Sequence, residues 1–268
     1  MEVEAGGPEG AAGGTVLLVP GLGYGTSLWS AQWPALAEQH RLVALCPRGS
    51  GRSAPAPAAW SVAGMAADLL DVLDRESLPA AHLVGASLGG LVCLEAARQA
   101  PERVLSFVLL STALIVEQED FDPEVVAVLT AATRDPNPET ARRGVETALA
   151  PLPADAPADV LAARQALVDR ILAERWKSPP SPEGYRAQAM AGALYMAARL
   201  PADYKGPALV ISGTADRVIR TRRSRELAAS LPNGRFLEVE GAGHLVGLEK
   251  PEVVNAAIVE FLQEVKSR

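Results

Sequence analysis

The chain has 268 residues, 49% hydrophobic and 21% charged, the balance of an ordinary globular protein with one large core or one core plus an inserted lobe. Its net charge of −7 argues against a nucleic-acid partner, because phosphate binding needs a basic surface. Two cysteines, Cys46 and Cys93, are too few for a disulfide framework and fit a reducing cytoplasm, and no run of about 18 apolar residues is available to span a membrane.

The opening stretch, MEVEAGGPEGAAGG, is acidic and glycine-rich and lacks the basic flank and apolar core of a signal peptide. Residues 1–13 are expected to be a mobile arm, with a short edge strand at Val3 to Ala5 as the alternative. From Gly14 onward, apolar runs alternate with amphipathic stretches. Val16 to Val19 ends in Pro20-Gly21 and predicts a buried parallel strand. Leu28 to Gln39 reads as a helix and Leu42 to Cys46 as the next strand. A loop punctuated by Pro47, Gly49, Gly51, Pro55 and Pro57 follows. Ser61 is a candidate N-cap for a helix carrying Met65, Leu69, Leu70, Val72 and Leu73. Leu83 to Ala86 and Val104 to Leu110 predict two more strands, with a helix starting directly after Ser87.

Between about Thr112 and Asp203 the alternation stops. Only helical pattern remains there, broken by many prolines, before strands resume at Ala208 to Ser212 and Arg235 to Val239 and a helix closes the chain from Pro251 to Val265. The expected architecture is therefore α/β: an open, mostly parallel sheet of about six strands with helices on both faces and an inserted helical cap. Residues 1–112 and 203–268 would form the core and 113–202 the cap. The first strand should lie between the second and third, leaving Ser87 at the switch point of the sheet.

Gly85-Ala86-Ser87-Leu88-Gly89 fits the pattern G-x-S-x-G at a strand-to-helix turn. Such a turn strains the serine backbone, needs uncrowded neighbours, and exposes the hydroxyl at a helix N-terminus, where backbone N–H groups favour developing negative charge. Ser87 is thus the candidate nucleophile. Of the three histidines, only His244 lies just past a strand at its carboxyl end, where chemistry collects in open parallel sheets. His40 reads as solvated and His82 as structural. Asp216, in Ser212-Gly213-Thr214-Ala215-Asp216, is the leading candidate to orient His244, with Glu240 and Asp120 as competitors. The order serine, acid, histidine matches this arrangement. The backbone N–H groups of Leu22 and Leu88 are candidates for the oxyanion hole.

These stretches resemble the α/β-hydrolase superfamily, in the broad group of small esterases, enol-lactonases, C–C bond hydrolases and cofactor-free haloperoxidases. The resemblance is carried by Val19-Pro20-Gly21-Leu22-Gly23, Arg48-Gly49-Ser50-Gly51-Arg52-Ser53, Val84 to Gly90, Pro101-Glu102-Arg103-Val104, Gly213 to Asp216 and Gly241-Ala242-Gly243-His244. Three departures stand out. Pro20 occupies a place where relatives carry histidine, Cys46 one where many carry aspartate, and little sequence is left for an opening antiparallel hairpin. Serine at position 87 argues against dehalogenase- or epoxide-hydrolase-like chemistry, which uses aspartate there.

The resemblance implies hydrolysis of a small carboxylic ester or lactone through an acyl-enzyme. C–C bond hydrolysis, perhydrolysis or cyclisation at the same residues, and a non-enzymatic ligand-sensing role, remain open. Gly21, Trp176 and Tyr185 are candidates for substrate contact. Met190, Tyr195 and Met196 share that standing, or serve as packing between cap and core. No cluster has metal-ligand spacing and no cofactor is expected. Arg217, Arg220, Arg222, Arg223 and Arg225 read as a solvated helix start, or as a surface for an anionic substrate or acidic partner.

Overall fold

A computed structural model of the chain describes residues 1–10, 13–114, 116–195, 201 and 203–266. The described residues form a seven-stranded sheet of β1 (Glu2–Gly6), β2 (Thr15–Val19), β3 (Arg41–Cys46), β4 (Ala81–Ala86), β5 (Val104–Leu110), β6 (Ala208–Gly213) and β7 (Gly234–Val239), in the order β1-β3-β2-β4-β5-β6-β7. Strands β2 to β7 pair in parallel with one another, and β2 lies between β3 and β4 as expected.

The first residues differ from the sequence expectation. Glu2–Gly6 is a strand rather than a mobile arm, antiparallel to β3 with Val3 opposite Leu45. What holds it is non-local: the Glu2 N–H donates to Ser53 Oγ at 2.8 Å, and the Glu2 carboxylate pairs with Arg52 at 2.8 Å. The sheet is therefore one antiparallel edge strand wider than its parallel part.

Alternation sends successive side chains to opposite faces. On one face Leu17, Val19, Val43 and Leu45 pack with Leu69 and Leu73 of the helix Val62–Arg75, Val92 and Ala96 of the helix Leu88–Gln99, and Leu227 of the helix Thr221–Ser230. Between β2 and β3 the expected long helix is a 3-10 turn at Thr26–Trp29 followed by the short α1 (Trp33–Ala37). The Ser61 hydroxyl caps α2 (Val62–Arg75) by accepting from Gly64 N–H. Helix α3 (Leu88–Gln99) follows β4, and among the described residues four α-helices separate β5 from β6: α4 (Pro123–Arg134), α5 (Pro138–Ala148), α6 (Ala158–Arg175) and α7 (Pro182–Ala193). Helices α8 (Thr221–Ser230), α9 (Val246–Glu249) and α10 (Pro251–Lys266) complete the chain. On the other face Val16, Leu18, Leu42 and Ala44 meet Leu36 of α1, Ile171 of α6 and Ile258 and Phe261 of α10. Among the described residues, no helix is long and apolar enough to cross a membrane.

His40 is buried rather than solvated, its Nδ1 3.0 Å from the Gly13 carbonyl. His82 is buried too, 2.8 Å from Ser106 Oγ, and structural as expected. Cys46 and Cys93 are buried free thiols; burial pushes the Cys46 thiol up to about 11, and Cys93 higher.

Candidate active site

Ser87 sits between β4 and α3 with φ +51° and ψ −117°, a conformation uncommon for a residue with a side chain. The glycines around it explain how the turn is tolerated. A methyl at Gly89 would come within 2.1 Å of the Val19 carbonyl oxygen, and one at Gly85 within 2.6 Å of the Gly89 oxygen. Helix α3 thus leaves the turn pressed against the end of β2. The turn is held by Ser87 N–H to the Leu110 carbonyl at 2.8 Å and by Thr112 Oγ1 donating to the Ser87 carbonyl at 2.9 Å.

Asp216 and His244 come from the loops after β6 and β7. His244 Nδ1 lies 2.9 Å from Asp216 Oδ2, and the Asp216 side chain is fully buried. The other oxygen, Oδ1, accepts from Val218 N–H at 2.8 Å and Ile219 N–H at 2.9 Å, which fixes the carboxylate plane. The two loops are stitched together by Ala215 N–H to the Ala242 carbonyl at 2.9 Å and Gly241 N–H to Thr214 Oγ1 at 2.9 Å. Neither competitor for Asp216 reaches His244: Asp120 is engaged by Arg222 and Arg223, and Glu240 is exposed.

Ser87 and His244 line one cavity of about 1130 Å³. Gly21, Leu22 and Leu88 line it beside Ser87, and a methyl on Gly21 would lie 3.4 Å from Ser87 Cβ. Neither the Leu22 nor the Leu88 N–H donates within the turns, loops or caps of the described residues. The far wall is built by the segment between β5 and β6: Val125 and Leu129 of α4, Thr147 of α5, and Tyr185 and Gln188 of α7.

Among the expected contact residues, Tyr185 and Tyr195 line the cavity, whereas Trp176 and Met190 do not. Trp176 is 40% exposed and Met190 50% exposed, and Met196 lies outside the described residues. The reason for Trp176 is helical phase. Helix α6 buries Val168, Ile171, Leu172 and Arg175, the i, i+3, i+4, i+7 stripe, and the next residue turns away. Val160 and Leu161 fall on the same face of α6 as that stripe, about two turns earlier, and are 38% and 51% exposed.

Three contributors were not singled out from the sequence. Arg175 ends the buried stripe and lines the cavity, which the spacing from Val168 could have revealed. Gln188 is buried on α7; its Oε1 accepts from Gly23 N–H at 3.0 Å while its Nε2 donates to Ser50 Oγ at 3.1 Å, fixing the loop that carries Leu22. Glu249 bridges the His244 loop and the end of α5, and nothing in its local sequence signals that.

The arginine cluster is a solvated helix start only in part: Arg222 and Arg225 are exposed, Arg223 is buried. Arg222 and Arg223 bind Asp120, Arg217 binds Asp122 and Glu124, and Arg223 also pairs with Glu117. These contacts fasten residues 117–124 to the start of α8. Among the described residues, no group of three or more His, Cys, Asp or Glu side chains could hold a metal ion.

Residues 14–251 match the family model of the alpha/beta hydrolase fold, and the chain belongs to that family. It is 32% identical over 261 residues to the dihydrolipoyllysine-residue acetyltransferase component of the acetoin cleaving system of Pseudomonas putida, covering 95% of this chain and 65% of that protein. A relative from Variovorax paradoxus (strain S110) is 44% identical over 113 residues, 41% of this chain and 42% of that relative's length. Against both, the chain spans less than two thirds of the relative. Among solved structures, a thermophilic esterase from Thermogutta terrifontis superposes with a TM-score of 0.81 at 26% identity, covering 99% of this chain and 93% of that one. The enol-lactonase from Burkholderia xenovorans LB400 gives 0.78 at 25% identity, covering 98% and 96%.

Proposed function

We propose that Ser87, His244 and Asp216 act as a triad that hydrolyses a small carboxylic ester or lactone. The observation that carries this reading is the 2.9 Å contact between His244 Nδ1 and the buried Asp216 carboxylate, in the cavity that Ser87 also lines. Asp216 holds the imidazole with Nε2 free to take the Ser87 Oγ proton as Oγ attacks the carbonyl carbon. The oxyanion accepts from the N–H groups of Leu22 and Leu88. Collapse releases the alcohol, or opens the lactone ring, with the proton returned by His244. Water then attacks the acyl-Ser87 ester, gives its proton to His244, and frees the acid as Ser87 Oγ recovers a proton.

The same reading makes residues 113–202 a cap, supported by cavity-lining residues on α4, α5, α6 and α7. It sets the enzyme in the cytoplasm, where buried thiols such as Cys46 stay reduced. The esterase and enol-lactonase neighbours favour hydrolysis over the C–C bond, perhydrolytic and cyclising alternatives.

The test is covalent labelling by a fluorophosphonate together with turnover of p-nitrophenyl esters. Wild type should label and turn over. Ser87→Ala should lose labelling, with turnover down on the order of 10⁴-fold. Undiminished turnover in the alanine variant would remove Ser87 as nucleophile. Labelling without turnover of any ester would move the reaction to another class.

A further inference from the structure

Arg175 is 8% exposed, lines the cavity that holds Ser87, and has an Nε–H with no hydrogen-bond partner among the described residues. Its guanidinium lies between two rings, 5.0 Å from the centroid of Tyr24 and 5.8 Å from that of Tyr185. Aromatic faces attract a cation but do not neutralise it. Nor do these phenols supply counter-charge, since burial pushes both Tyr24 and Tyr185 up and keeps them protonated. Among the described residues Arg175 forms no salt bridge, and the carboxylate next to it in sequence, Glu174, pairs with Lys177 at 2.7 Å. A buried guanidinium normally has an anionic partner, because its desolvation is costly.

The surroundings say where that partner comes from. Although the chain carries −7 overall, the charged side chains lining the cavity among the described residues are Arg134, Arg175, Arg186 and Arg217 against Asp122, besides His244. Asp122 is already bound by Arg217 at 2.8 Å. Arg175 Nη2 also packs over Gly23, where a methyl would meet it at 2.5 Å, so its charge lies beside the loop that carries Leu22.

We infer that Arg175 anchors a carboxylate carried by the substrate, so that the natural ester or lactone is an acidic one with an apolar body. This inference rests on the ester or lactone reading above. A planar guanidinium fork pairs with a carboxylate through two parallel hydrogen bonds.

The experiment compares mono-p-nitrophenyl glutarate with p-nitrophenyl pentanoate, which share a five-carbon acyl chain and differ in the terminal carboxylate. Wild type should favour the glutarate in kcat/KM by about tenfold or more. Arg175→Gln should lower glutarate turnover about tenfold further than it lowers pentanoate turnover, and Arg175→Lys should recover part of that difference. Equal handling of the two esters by wild type, or equal loss of both in Arg175→Gln, would overturn the assignment while leaving the triad standing. Should the glutamine variant not fold, inhibition of wild-type pentanoate hydrolysis decides: glutarate must inhibit more tightly than glutaramide. If wild type hydrolyses no ester, the triad reading fails by itself. Thermal stabilisation of wild type by glutarate but not by glutaramide then still supports the Arg175 site, and equal or no stabilisation refutes it.

Discussion

The carboxylate of Glu249 accepts the backbone N–H of Gly243, the residue before His244, at 2.7 Å. Its second oxygen accepts from Ala150 N–H at 2.9 Å, just past α5, and Arg164 of α6 stands 3.9 Å away. The His244 N–H donates to the Ala148 carbonyl at 2.7 Å, so the histidine loop and the insert share one hydrogen-bonded seam. Burial pushes the Glu249 carboxyl up, the mark of a group placed for its contacts at a cost in solvation. Glu249→Ala strands both N–H groups, at about 1–3 kcal/mol each. Thermal unfolding should fall accordingly, and fluorophosphonate labelling should slow because His244 loses its fixed position. Unchanged labelling at reduced stability would make Glu249 purely structural.

Asp120 is 1% exposed and holds Arg222 at 2.6 Å and Arg223 at 2.7 Å, the latter itself buried. Without Asp120, Arg223 keeps Glu117 and Glu226 and Arg222 keeps Glu119, so what is lost is the charge-assisted hydrogen bonding of Asp120 rather than all counter-charge. Asp120→Asn should therefore cost about 1.5–3 kcal/mol in urea unfolding. Most of that loss should persist in high salt, because a buried pair is poorly screened. A loss that vanishes with salt would mean the network is effectively solvated.

His82 gives the protein an acid limit. Burial, with a smaller contribution from the charge of His40, lowers its pKa from 6.5 to about 4. The unfolded chain therefore takes up this proton before the folded one does. Stability from this group is fully present above about pH 6.5 and declines as pH falls, until both states are protonated below about 4. The loss is on the order of 3 kcal/mol. Urea unfolding of wild type across this window should slope downward toward acid, and His82→Gln should flatten the slope. An equal slope in the variant would shift the cause to other groups.

Leu129 lines the cavity from α4. Leu129→Trp should shorten the space available to an acyl chain, lowering kcat/KM for p-nitrophenyl octanoate about tenfold more than for the acetate. If both fall together, this wall does not select chain length.

Most of the sheet was legible because its strands are short apolar runs bounded by glycine and proline. The grouping of Ser87, Asp216 and His244 followed because each stands at the carboxyl end of such a run. Strand β1 was not legible in the same way: Glu2–Gly6 has weak local propensity and is held by Ser53 and Arg52, distant in sequence. The insert was read as helical but not as packed, because turns of α6 that look alike locally differ in what they meet. Arg175 rather than Trp176 faces the cavity, a difference of one step of about 100° around a helix. Glu249 depends on Ala150 and Gly243 converging from two parts of the chain, which no local pattern encodes.

The segment between β5 and β6 departs from and returns to strands that are hydrogen-bonded neighbours, with Leu110 paired to Ile211 at the exit. Because the two strands are parallel, the segment leaves at the carboxyl end of β5 and re-enters at the amino end of β6, where Ala208 pairs with Phe107, so its ends lie about 10 Å apart along the sheet. Such a segment can be exchanged for another of different length without respacing the sheet, much as a domain is inserted at a surface loop. What a replacement must bring is a pair of moorings: acids to meet Arg217, Arg222 and Arg223 at one end, and a carbonyl for the His244 N–H at the other. Chimaeras that keep Glu117 to Glu124 and Ala148 to Ala150 while replacing the helices between and beyond them are the ones this wiring would tolerate. That makes the molecule a socket with an interchangeable insert.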